Sequence, residues 1–182
     1  MQRFSRRFLA VVVAFVAAAC ETTVLEDSWR DPEAGPIQFH RVAVLALTGD
    51  PALRRSAEDQ LVSQIPRGEA VAAYTFIVDQ DLADTEKVKE RMKEAGFDGA
   101  VVFRVIGSRE KQSYVPGQYS VTPGYVVTDT YVEVETRVYS VAEDKLIWAA
   151  RSETVSPLSV RDLVDRVARA AAKELRKQGL IP

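Results

Sequence analysis

The sequence predicts an α/β fold: a mixed sheet of about five strands, made of a parallel βαβαβ section followed by an antiparallel pair, with about three helices packed on it. Three observations carry this expectation. Apolar runs rich in branched residues recur at 42–47, 70–78 and 97–107, and the stretches between them have helical spacing. Strict alternation then takes over from Tyr125 to Tyr139. The chain closes with an amphipathic segment over about 160–177. Two strand–helix–strand passages in succession call for parallel neighbours joined by right-handed crossovers.

The amino-terminal stretch belongs to none of these elements. In RRFLAVVVAFVAAACETT, residues 6–23, two arginines precede a continuous apolar run from Phe8 to Ala19. A helix needs about 20 apolar residues to cross a bilayer, whereas this run has the length and flanks of a signal-peptide core. Ala17-Ala18-Ala19-Cys20 resembles a bacterial lipobox. A signal peptide over 1–19 is therefore expected, with Cys20 lipidated as the first mature residue. The Ala-rich stretch also suits an ordinary signal peptidase, which would leave the cysteine bare. Several acyl chains together hold a protein on a membrane, where one binds only marginally. Glu21 follows the cysteine in place of the Asp that marks inner-membrane retention. The expected location is thus the periplasmic side of a Gram-negative outer membrane.

Composition bounds the rest. The 182 residues are 47% hydrophobic and 27% charged, which suits one domain with a real core. Formal net charge is -2, and without residues 1–19 it falls to about -5. That sign disfavours nucleic acid and anionic lipid as general partners, since both require phosphate neutralisation. A single cysteine excludes an internal disulfide and a multi-cysteine metal site.

Residues 20–38 are expected to form the lipidated end and a tether, and 39–182 a single domain. Glu21 to Pro36 is polar, with two prolines and no sustained period. Trp29 within it would either dock on the domain or sit near lipid. In FHRVAVLALTGDP, residues 39–51, Val42 to Leu47 suits a strand covered on both faces. Asp50 can cap the next helix, with Pro51 at its first position. Leu53, Ala57, Leu61 and Ile65 give that helix its stripe, and Ala70 to Val78 reads as the second strand. Asp81 or Asp84 caps the second helix, Val88, Met92 and Ala95 face inward, and Gly96 can close it. After the third strand, SREKQSYVPGQYSVTPGY contains two Pro-Gly pairs and reads as a long loop or irregular hairpin. VAEDK then makes a turn between antiparallel strands, and Ser159 with Asp162 has capping-box spacing ahead of the final helix.

Few residues suggest chemistry. His40 is the single histidine, so no paired-histidine metal or acid–base site can be built. Asp79, Asp81 and Asp84 have the oxygen donors for a weak divalent cation, but capping and solvation explain them. Glu133 and Glu135 share a strand face, where charged residues are ordinary. No nucleophile elbow or phosphate loop occurs. No catalytic residue, metal or cofactor is expected. The more informative group is Tyr114, Tyr119, Tyr125 and Tyr131, interleaved with valines and prolines. These rings either form a contact surface or fold back to cover the neighbouring strands.

RVAVLAL as an opening strand, MKEAGFDGAVVFRV at 92–105 and VYSVAEDKLIWAARSET at 138–154 resemble small periplasmic lipoproteins. The families in question are the penicillin-binding-protein activator lipoprotein and the amino-terminal domain of the curli-secretion lipoprotein. The resemblance covers roughly residues 40 to 178 and is architectural. It implies an envelope lipoprotein that binds other proteins. Two roles follow as expectations: an adaptor that recruits an envelope partner, or a homo-oligomeric structural subunit of an envelope or secretion assembly.

Overall fold

The computed structural model describes residues 23–66, 69–117 and 123–182. Among these, the strands are Thr23–Arg30 (β1), Val42–Leu47 (β2), Ala70–Ala72 (β3), Gly99–Val115 (β4), Tyr125–Ser140 (β5) and Lys145–Val155 (β6). They form one sheet in the order β1-β6-β5-β4-β2-β3. β2 pairs in parallel with β3 and β4, and the β4–β5, β5–β6 and β6–β1 pairs are antiparallel. The helices are Pro51–Gln64 (α1), Thr85–Glu94 (α2) and Val160–Lys177 (α3). This is the mixed α/β sheet with three helices that the sequence leads one to expect, with a sixth strand.

Alternation along β2 and β4 builds a core on each side of the sheet. Val42, Val44, Val101 and Phe103 pack with Leu61, Val167, Ala171 and Leu175, beneath α1 and α3. Ala43, Leu45 and Ala100 face the other way, onto Val88 and Met92 of α2 and onto Ile77 and Phe97. Trp148 of β6 is wholly buried in the first of these clusters. Helix starts follow the sequence signals. The Asp50 carboxylate accepts from the backbone N–H groups of Ala52 and Leu53, Asp84 accepts from Lys87, and Ser159 accepts from Asp162. Gly96 closes α2 with φ of 73°, a conformation glycine takes without a Cβ clash.

Three local expectations are corrected. Residues 23–30, read as tether, form the edge strand β1. Their period is hidden by a register shift between Leu25 and Asp27. Thr23 and Leu25 before it, and Ser28 and Arg30 after it, pair with residues on the sheet face that α3 covers, so the phase changes from odd to even positions. The second strand stops at Ala72, not Val78, and the chain turns into short 3-10 segments at Ala73–Thr75 and Asp79–Ala83. Of the expected α1 stripe, Leu61 and Ile65 are buried and Leu53 and Ala57 half-buried at its margin, and the charged Arg54 and Glu58 share the buried face.

The stretch from Ser108 is the outer part of a hairpin. β4 continues to Val115, paired through to Tyr125. Beyond Val155 no third strand among the described residues joins it, so from Glu110 and Thr130 outward they form a two-stranded arm. Its β4 side, from Glu110 to Val115, carries no buried residue and no polar–apolar alternation to read, whereas its other side continues the alternation of β5.

Candidate interaction surfaces

The sequence-singled residues do not converge on a chemical site. His40 is exposed, with Nδ1 3.4 Å from an Asp98 carboxylate that accepts the backbone N–H groups of His40 and Arg41. Asp79 pairs with Arg54, Asp81 pairs with Lys87 at 2.5 Å, and Asp84 caps α2. Each aspartate thus has its own task. Among the described residues, no group of three or more His, Cys, Asp or Glu side chains could hold a metal ion. No helix among them is long and apolar enough to cross a membrane.

The buried polar centre of the fold is one the helical stripe did not reveal. Arg54 and Glu58 are 1% and 0% exposed. The Glu58 carboxylate accepts from Arg54 Nε at 2.9 Å, from the backbone N–H of Ala46 at 3.1 Å and from that of Tyr74 at 2.7 Å. Arg54 continues to the Ile77 carbonyl at 3.0 Å and to Asp79 at 2.5 Å. The β2–β3 pairing ends at Val44 and Ala72. Glu58 therefore supplies the acceptors that a longer β3 would have offered. Burial raises its carboxyl above the usual range, and the Tyr74 and Ala46 N–H bonds and Arg54 only partly offset this.

Two surfaces remain. The first is the sheet face opposite α1 and α3. α2 covers β2 and the start of β4, while no helix among the described residues lies over β5, β6 and β1 there. Cross-strand pairing puts Arg104, Glu135 and Arg151 side by side on it, with Glu133 and Glu153 one step along. Glu135 receives Arg104 at 2.9 Å and Arg137 at 3.0 Å. Burial opposes its ionisation, but Arg137 and Arg104 outweigh this and hold the carboxyl below its ordinary range. Arg109 pairs with Glu153 and lies 4.3 Å over the Tyr131 ring. Tyr131 is accordingly packed beneath a guanidinium. Trp29, 48% exposed, stands beside Ala149 at the β1 margin of this face, and exposed Val24 stands beside Glu153.

The second surface is the arm. Tyr114 is 67% exposed, Tyr125 and Val126 are nearly as open, and Val115 lies with them at the tip. A Cβ on Gly124 would fall 2.1 Å from the Tyr114 hydroxyl, so the ring lies against that glycine across the arm. Tyr119 and Cys20 fall outside the described residues. At the base of the arm, an apolar groove of about 230 Å³ opens between the amino-terminal halves of α1 and α3, lined by Leu53, Val105, Val160 and Leu163.

No family model matches the chain, and no curated protein matches it. Among solved structures it is similar to a PelC dodecamer from Paraburkholderia phytofirmans, at 18% identity over 85% of this chain and 96% of that one, with a TM-score of 0.47. It is similar to lipoprotein GNA1162 from Neisseria meningitidis at 12% identity, over 75% of this chain and 98% of that one, TM-score 0.42. A minor lipoprotein from Acinetobacter baumannii follows at 12% identity, over 78% and 96%, TM-score 0.32.

Proposed function

We propose that this chain is a lipid-anchored, non-enzymatic protein of the bacterial cell envelope that works as a self-assembling structural subunit. Cys20 is the proposed lipidation site, and the periplasmic side of a Gram-negative outer membrane the proposed location. The open sheet face is the observation that carries the reading. Its row of Arg104, Glu135 and Arg151 alternates in sign across neighbouring strands, while the next row sets Glu133 beside Glu153, so a second copy set against it meets both signs of charge. Trp29 and Val24 at its margin supply exposed apolar area for the same contact. Dodecameric PelC is an assembly of this general kind, but the reading here stands on this chain's own open face.

Photo-crosslinking in cells from position 29 of the full lipidated chain tests this, together with light scattering of the detergent-extracted protein. Adducts of the chain with itself, and a discrete multiple of its mass that collapses in Trp29→Glu, are expected. A heterologous adduct on a monomer would replace self-assembly with the adaptor role. A monomer that forms no adduct would remove both roles from this face.

A further inference from the structure

The register of the sheet gathers several features at one end. Thr23, where β1 starts, lies opposite Thr154 of β6, which lies opposite Val132 of β5 and in turn Ser108 of β4. From Ser108 the arm runs on for seven residues to Val115, which at about 3.3 Å per residue puts its tip roughly 23 Å past the level of Thr23. Cys20 precedes Thr23 by three residues, so covalent geometry keeps it within about 11 Å of that level. The arm therefore outreaches the cysteine. Leu158, 88% exposed in the connection from β6 to α3, lies at this same end.

Side chains along the arm are graded by polarity. Glu110, Lys111, Asp129 and Thr130 occupy its base, Gln112, Ser113, Val127 and Thr128 its middle, and Tyr114, Val115, Tyr125 and Val126 the outer end of its paired part. We infer that the tip of the β4–β5 arm rests in the headgroup region of the membrane that holds Cys20, with Tyr114, Val115, Tyr125 and Val126 as its contact residues. The inference rests on the proposed reading of Cys20 as a lipid anchor. Tyrosine suits this depth because its ring is apolar and its hydroxyl is not. A strand needs about 9–11 residues to span the hydrocarbon. The paired part of the free arm, Glu110 to Val115, has fewer, consistent with an interfacial contact. It depends on aromatic and apolar area, in keeping with a domain whose net charge is negative.

The Cys20 sulfur, as a glyceryl thioether in the proposed anchor, does not react with thiol probes, so an added cysteine takes a single label. Val115→Cys and, at the opposite end of the sheet, Glu143→Cys would each carry an environment-sensitive nitrobenzoxadiazole. The full lipidated protein would be reconstituted in vesicles of phosphatidylethanolamine and phosphatidylglycerol containing headgroup-depth spin-labelled lipid. Position 115 should emit to the blue and lose most of its emission to the quencher, while position 143 should behave as in water. Equal, water-like emission at both positions in protein that floats with the vesicles would overturn the arm contact and leave the anchor standing. Protein that does not float with them would overturn both.

Discussion

Glu58 occupies a helix position between Ala57 and Leu61 where an apolar residue would be unremarkable, yet it joins three parts of the chain. Removing one partner of a buried, hydrogen-bonded ion pair costs about 3–5 kcal/mol, and although Arg54 would keep Asp79, its Nε would lose its acceptor. Glu58→Ala should lower stability by that order in urea unfolding, and the Ala46 and Tyr74 N–H groups would lose their acceptors with it. The pH dependence has a definite sign. A carboxyl raised in the folded state above its ordinary 4.5 contributes stability that is full below that value and is lost as pH rises through the folded value. Glu58→Gln should abolish this decline, seen as melting temperature against pH. Neither Arg54 nor Glu58 was legible as a buried residue, since charged side chains on a surface helix ordinarily face water. The one available signal was their i,i+4 spacing, which exposed pairs share.

At the scale of elements, β1 shows how a strand escapes notice. The shift at Glu26 changes its inward phase, and a single outer strand of mostly polar residues offers no apolar run. Asp31, just past its end, is held by Lys145 at 2.6 Å and by the Glu33 N–H. The Lys145 hydrogen bond leads in holding the Asp31 carboxyl below its usual 3.8, with the Glu33 N–H next. The stability it contributes is present above that value and is lost as pH falls through the folded one. Asp31→Asn should therefore melt below the wild type at neutral pH, with the gap closing in acid, the opposite slope to Glu58. Helix caps, β2, β5, β6 and α3 were legible because each depends on local chemistry or on one buried face. The end of β3 and the outer part of β4 were not. β3 stops because a distant side chain replaces its partner, and outer β4 has no buried face to impose a period.

For the whole molecule, the face opposite α1 and α3 is mixed in charge and half-exposed, so the contact proposed there is sensitive to ions. Screening length falls from about 10 Å at 0.1 M salt to about 3 Å at 1 M, and an assembly held by these pairs should lose mass over that range in light scattering. A mass indifferent to salt would assign any assembly to apolar contacts alone. Of this surface, Glu133 and Glu135 were legible as a charged strand face. Their opposition to Arg104, Arg109 and Arg151 was not, because it is created by pairing between strands far apart in sequence.

The placement of β1 has a mechanical consequence. The proposed anchor pulls on Thr23 along the strand axis, while β6 runs antiparallel beside it from Arg30 to Thr23. Backbone hydrogen bonds of such a pair lie across the strands. Tension between membrane and body therefore loads them together, in shear, and does not peel them one at a time. The same eight residues that close one side of the sheet would thereby resist separation of the body from the proposed anchor.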